Sequence, residues 1–264
     1  MSKSVVHPTA IVSKKAIIGK NVHIGPYCCI GEDVVLGDGV TLHSHVVIEG
    51  KTSVGEGTEI FSFAVIGAAP QFLSSLPEYS KITIGKNNKI REHVTIHAGT
   101  QPEGTLVGDN GFFMVACHIA HDCRVGNKVV MANNATLGGH VEIGDNVILG
   151  GLCAIHQKVR LGKGCIIGGV SPVVGDVIPY GSVMGNRAVL CGLNLVGLRR
   201  HGIDRESIHK LRTAYRLLFA DEGTLTERIQ GTVELFSEDP IVMGVVEFLQ
   251  QNAANNLRPL CLPR

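Results

Sequence analysis

The chain returns to the same kind of residue every six positions, and any fold for it must satisfy that period first. Large apolar residues stand at each sixth position from Val6 to Ile66, again at Ile84, Ile90 and Ile96, and then from Val107 to Val173. All 26 of these positions are apolar in a chain that is 44% hydrophobic overall, so the pattern belongs to a repeat architecture.

Six does not fit the 3.6 residues of a helical turn, but it contains whole two-residue strand periods. Four residues after each large side chain comes a small or β-branched one, such as Val22, Cys28 and Val34 early on and Cys117, Cys123 and Val129 later. Glycine often follows the large residue, as in Ile24-Gly25 and Leu36-Gly37, and there it is expected to supply the positive φ of a tight turn. Each hexapeptide reads as one short strand and one turn, with both apolar residues aimed at a shared interior. Three hexapeptides close a triangular coil, and about nine or ten coils stack at roughly 4.8 Å each. The expected fold is mainly β, a parallel β-helix of hexapeptide repeats over residues 1–190, with loops near 68–82 and 97–106. The period leaves handedness open; proteins with this hexapeptide pattern coil to the left, against the usual crossover rule.

Past residue 192 the spacing becomes helical. Residues 204–219 carry Ile208, Leu211, Tyr215 and Leu218 on one face, and Thr224 to Glu227 forms a capping box ahead of Ile229, Val233 and Phe236. Pro240 opens a third helix with Val242, Val245, Phe248 and Leu249 on its apolar side. Residues 191–264 are therefore expected to form a small α-helical C-terminal domain.

A net charge of +1 gives no bulk attraction to nucleic acid or to a membrane surface. The first residues lack the apolar core of a signal peptide, and no apolar run reaches the length of an integral membrane segment. Five of the eight cysteines, Cys28, Cys117, Cys123, Cys153 and Cys165, occupy the small inward position, without disulfide or zinc spacing. That use of cysteine suits a reducing cytoplasmic location.

The period breaks twice, once between Ile66 and Ile84 and once between Ile96 and Val107, and loops on a rigid scaffold often carry binding function. Histidines gather beside these breaks. Ile119, Leu137 and Ile155 are 18 residues apart and so lie on one edge of the prism, with His118, His121, Asp122, Gly139, His140 and His156 around them. Asp122 and His140 should occupy adjacent rungs. If the loop after Ile96 replaces a single hexapeptide, His97 joins the same edge one coil earlier. A lone histidine of this kind is commonly a surface or turn residue, but several on one edge of a scaffold that needs only Val, Gly and Asn point to a site.

Imidazole chemistry divides in two here. One histidine could act as a general base with its tautomer fixed by a carboxylate, and His121-Asp122 supplies both, with the Gly139 amide as an oxyanion donor. Alternatively, three of His97, His118, His121 and His140 could bind zinc and leave the fourth position open to water, as in hydrases of the γ-carbonic-anhydrase type.

The stretches Ile119-Ala-His121-Asp-Cys-Arg-Val-Gly, Asn133-Asn-Ala-Thr-Leu-Gly-Gly-His140 and Ala154-Ile-His156-Gln resemble the bacterial UDP-N-acetylglucosamine O-acyltransferases, which begin lipid A synthesis. The likeness extends through His23-Ile-Gly-Pro, Arg91-Glu-His-Val-Thr-Ile-His97 and Gly192-Leu-Asn194-Leu-Val-Gly-Leu-Arg-Arg200, and thus over essentially the whole chain. What the resemblance implies is a homotrimer of left-handed β-helices with active sites between subunits. The reaction would move an R-3-hydroxyacyl group from acyl carrier protein to the glucosamine 3-position of the UDP-sugar. By motif position His121 would be the base, Asp122 its orienting partner and Gly139 the oxyanion donor. His97, His118, His140 and His156 would line the sugar and acyl groove, and Gln157, Asn194 and Arg200 would face the nucleotide or the carrier's phosphopantetheine. Gly169 matches the position that sets acyl length, and Gln71 lies in the loop that grips the sugar.

No metal and no resident cofactor would be needed, because phosphopantetheine arrives on the carrier. Arg199, Arg200, Arg205, Lys210, Arg212 and Arg216 could form the basic patch that an acidic carrier requires. One departure concerns the first loop, where the family has an acidic residue and a lysine while Phe72 and Ser74-Ser75 stand here. A 3-amino sugar acceptor, giving an amide, therefore stays open. The sibling N-acyltransferase carries an additional N-terminal domain, whereas the repeat here starts at Val6.

Overall fold

In the computed structural model, which describes residues 4–71, 80–254 and 258–263, the chain winds into a left-handed parallel β-helix followed by helices. The three sides of each rung stack into three sheets that follow one another in chain order. Among the described residues the first, second and third sheets hold eleven, nine and eight strands. Most strands are two residues long, and their second residue faces inward, as in Thr41–Leu42 and Thr136–Leu137. Partners are 18 residues apart, with Glu59 on Thr41 and Thr136 on His118. The large strand residue and the small residue two places before it fill the interior together, Leu42 with Val40, Leu137 with Ala135 and Ile155 with Cys153. The five cysteines on that position are buried free thiols, and burial pushes Cys123 up to about 12.

The glycines after the large residue answer a different need from the one expected. Gly25 and Gly37 do not have positive φ; the left-handed residue comes two places later, as at Tyr27 and Gly39. A Cβ on Gly25 or Gly37 would instead fall within 2.9 Å of the next rung's backbone, at His43 or Glu56. Close approach between rungs excludes a side chain there.

Two rungs are interrupted, both at the turn from the second sheet to the third. Val54 pairs with Ile84, 30 positions on, so twelve residues are looped out between strands Val65–Ala68 and Lys81–Ile84. Ile84 pairs with Val107, 23 positions on, so five more are looped out between Thr95–His97 and Thr105–Val107. Both loops thus leave the prism from one corner on consecutive rungs.

An antiparallel hairpin, Gly181–Met184 against Val189–Leu193, ends the first sheet. Helices α1 (Leu195–Arg200), α2 (Arg205–Leu218), α3 (Leu225–Phe236) and α4 (Pro240–Ala254) follow. Asp204 caps α2 and the Thr224/Glu227 capping box opens α3, as their sequence pattern predicts. The six residues of α1 are too few to leave a periodic signal. Helix α4 is held on the third sheet by Arg160, whose guanidinium bonds the buried Asp176 at 2.9 Å and lies over the Phe248 ring. The chain end comes back to the same place, with the Cys261 N–H donating to the Asp176 carbonyl and the Asp176 N–H to that of Pro259. Among the described residues no helix is long and apolar enough to cross a membrane.

Candidate active site

The corner that releases both loops is also where the histidines meet. On the rung after the second loop, strand His118–Ile119 turns through Ala120, His121 and Asp122, and one rung further strand Thr136–Leu137 turns through Gly138, Gly139 and His140. Asp122 and His140 both take the left-handed position of their turns, with φ of 59°. The repeat therefore stacks them, and His140 Nε2 lies 3.7 Å from the Asp122 carboxylate. His121 Nδ1 lies 2.7 Å from Asp122 Oδ2, which places the ring proton on Nδ1 and turns Nε2 the other way. Gly139 stands against that second nitrogen, since a Cβ built on it would be 2.5 Å from Nε2. The Gly139 N–H makes none of the rung-to-rung bonds that Gly138 and His140 make on either side of it.

Asp122 is buried, with only 4% of its side chain exposed, and its lone pairs are occupied. Oδ1 accepts the N–H groups of Thr100 at 2.8 Å and Gln101 at 2.9 Å. Oδ2 accepts the Thr100 hydroxyl at 2.8 Å and His121 Nδ1–H. Burial pushes this carboxyl up, but the bonds from His121, Gln101 and Thr100 outweigh it and hold it below the usual carboxylate range. The group is an anion at neutral pH. Its own N–H donates to Thr105 Oγ1, whose hydroxyl donates to the His97 carbonyl, so the second loop is bonded to the turn on both sides.

The neighbouring rings are held neutral. His97 and His118 meet edge to face with centroids 4.8 Å apart, and Thr95 Oγ1 lies 2.7 Å from His118 Nδ1. Burial lowers both, with help from the surrounding imidazoles, and His118 falls to about 4. Burial lowers His140 as well, against the opposing pull of Asp122. The zinc reading fits these contacts poorly. His121, Asp122 and His140 are near enough to share an ion, but Asp122 already accepts four hydrogen bonds, one of them from the His121 nitrogen it would have to release.

The other expected residues divide. His97 reaches the ridge through the pairing of Ile96 with Ile119, because the loop replaces one hexapeptide. His156 and Gln157 continue the same corner one rung beyond His140 and are exposed, with His156 Nδ1 3.2 Å from the Gln157 carbonyl. Gln71 is exposed at the root of the first loop, while Phe72, Ser74 and Ser75 lie outside the described residues. Gly169 sits on the other edge of the second sheet, in the turn after Ile166–Ile167, packed against Gly151. Arg200 ends α1 and is exposed.

Asn194 has a different place from the one expected of it. It is buried at the N-terminus of α1, where Oδ1 accepts the Gly197 N–H and Nδ2 donates to the Gly164 carbonyl. Its amide joins the prism to the helices. Thr100, Gln101 and Thr105 are the residues that sequence reasoning passed over. The interrupted period marked their loop, but no repeat marks side chains inside a loop.

Comparison with known proteins places this geometry. A family profile described as UDP N-acetylglucosamine O-acyltransferase, domain 2, matches residues 176–261, and a bacterial transferase hexapeptide profile matches residues 15–50. The acyl-[acyl-carrier-protein]–UDP-N-acetylglucosamine O-acyltransferase of Caulobacter vibrioides is 55% identical over 260 residues, 98% of each chain. The chain belongs to the UDP-N-acetylglucosamine O-acyltransferase family. Like the other members, it is an acyltransferase. A crystal structure of a UDP-N-acetylglucosamine acyltransferase is 42% identical and superposes with a TM-score of 0.93 over 98% of this chain and 99% of that one. The enzyme from Campylobacter jejuni is 37% identical with a TM-score of 0.90 over 98% and 100% of the two chains.

Proposed function

We propose that this acyltransferase moves an R-3-hydroxyacyl group from acyl carrier protein to the glucosamine 3-hydroxyl of UDP-N-acetylglucosamine, the first step of lipid A synthesis, with His121 as the base. The observation that carries the reading is the alignment of a buried Asp122 anion, the His121 ring and the Gly139 backbone along one corner. His121 Nε2 takes the proton from the sugar hydroxyl as its oxygen attacks the thioester carbonyl. The Gly139 N–H meets the oxyanion of the tetrahedral intermediate. Collapse breaks the carbon–sulfur bond, the ester forms, and the departing phosphopantetheine thiolate takes the proton from the imidazolium. Asp122 stays ionised throughout and steadies the charged ring. A thioester is already activated, so positioning and one proton shuttle suffice, and neither a metal nor a resident cofactor enters.

A homotrimer belongs to the same reading. The outward strand residues of the second sheet run Ile11, Cys29, Val47, Val65, Thr95, His118, Thr136, Ala154 and Pro172, with no charged side chain among them. One edge of that sheet carries a ladder of stacked rings, Tyr27 on His45 on Phe63 on His93, and both Tyr27 and Phe63 are about half exposed. The other edge is the histidine ridge. A cyclic assembly sets one edge of each copy against the opposite edge of the next, covering this uncharged face. Gly169 of one copy then enters the cleft that holds His121 of its neighbour, where it leaves room for a long acyl chain. His97, His118, His140 and His156 line that groove, with Gln71 toward the sugar and Gln157 and Arg200 toward the nucleotide or the carrier's phosphopantetheine. Arg199, Arg205, His209 and Arg212 line a groove on α1 and α2 that suits an acidic carrier, and this chemistry belongs in the cytoplasm, where acyl carriers are charged.

Mass spectrometry of products from UDP-N-acetylglucosamine and its 3-amino analogue, with acyl carriers of several lengths, tests the reading. An ester on the first sugar is expected. An amide on the second alone would replace the acceptor, and product from neither would remove the assignment.

A further inference from the structure

We infer that the five-residue insertion after His97 is a positioning device for the catalytic carboxylate and that Thr100 is its principal residue, an inference that rests on His121 as base. The prism does not need the insertion, because strands Thr95–His97 and Thr105–Val107 could be joined by an ordinary hexapeptide turn such as those on later rungs. What the extra residues do is converge on Asp122. Thr100 contributes both its N–H and its hydroxyl, one to each carboxylate oxygen, and Gln101 adds a second N–H to Oδ1. The loop is shaped for that approach. A Cβ on Gly99 would lie 2.7 Å from Asp122 Oδ1 and 2.5 Å from Gly104, so the chain passes too close for any side chain. At the far end Thr105 ties the Asp122 N–H to the His97 carbonyl.

These bonds fix the carboxylate in the plane from which it meets His121 Nδ1, and they spread its charge over three donors besides the ring. The Thr100 hydroxyl and the His121 ring share Oδ2, so the two compete for one oxygen. Without the hydroxyl, more negative charge faces Nδ1–H and the imidazolium becomes easier to form. The groups that face this pair are His97 on the preceding rung, His118 on its strand, His140 with Lys158 behind it on the following rung, and the buried Cys123 thiol. All remain in place in a Thr100 variant.

The test is the pH dependence of kcat/KM for Thr100→Val, Thr100→Ala and Thr100→Ser, alongside thermal melts and an NMR titration of the His121 ring. For the Val and Ala variants turnover is expected to fall about tenfold, the loss typical of one charge-assisted hydrogen bond. Their acid limb and ring titration should move upward by roughly half a pH unit, because the proton-bound base is favoured. Thr100→Ser should restore both. An acid limb and ring titration that stay in place, with activity falling only as folded protein is lost, would overturn the inference. The ring titration reads any folded variant even when turnover is too low to measure. If His121→Ala keeps near-normal turnover, the base assignment fails instead, whatever Thr100 does.

Discussion

Two corners of the same prism obey the same period and use it for opposite ends. At the turn from the third sheet to the first, four rungs carry a Gly-Asx pair (Asp38, Asp109, Asn127 and Asp145) whose side chain accepts a backbone N–H from the rung before. Lys20 donates to Asp38 at 2.7 Å, Asp109 to Asn127 at 2.8 Å and Asn127 to Asp145 at 2.6 Å. The residue type recurs because the need recurs. At the turn from the second sheet to the third, His121, His140 and His156 follow one another, and the rings of the first two reach the Asp122 carboxylate instead. A repeat therefore supplies its own control: where one corner has explained what the scaffold requires, an unlike corner stands out as something else.

The largest break in that contrast is His121→Ala, expected to lower acyl transfer by about a thousandfold, within the range of a lost general base, while the melting temperature stays near that of the parent. Steady-state turnover and a thermal melt on the same preparation check it. A matched pair of glycines comes next. Gly139→Ala sets a methyl 2.5 Å from His121 Nε2 and should cut turnover by roughly a hundredfold with little change in folding. Gly55→Ala sets one 2.5 Å from the Gly85 backbone at the scaffold corner, and overpacking there should cost about 2 kcal/mol of stability while leaving the folded enzyme active. If both variants lose stability and activity in proportion, the two corners are not functionally distinct.

The smallest effect is a pH dependence. His118 is lowered to about 4 in the folded chain from an ordinary value of 6.5. As the pH falls through that interval the unfolded chain binds a proton that the folded chain refuses, so stability declines there. Asp122, held low, contributes stability above its unfolded value and loses it only on further acidification, below the histidine window. His118→Gln should flatten the decline between about pH 6.5 and 4 in urea midpoints, and Asn127→Ala at the other corner should leave it unchanged.

Much of the architecture was legible because a six-residue period with alternating large and small positions has few other physical solutions. The helices were readable from their caps, Asp204 and Thr224, and from apolar spacing. The ridge was readable because 18-residue spacing maps sequence onto neighbouring rungs, which puts Asp122 beside His140. Legibility ended where contacts stop being periodic. Gly25 and Gly37 carried the right residue for another reason, since the distance between rungs is invisible in a single strand. Asn194 caps a helix too short to announce itself. Thr100 was hidden inside an interruption. Gly169 and His121 occupy opposite edges of a sheet, and no period within one chain relates them.

Finally, a stack of equal rungs contains no instruction about where to stop, and an uncovered last rung would template another molecule. Here the final strand pair reverses direction, and the residues around Leu260 lie across Asp176. A newcomer's parallel edge would meet an antiparallel strand and a crossing tail there. The tail thus lies where one more rung would sit, so the stack meets its own chain at that end.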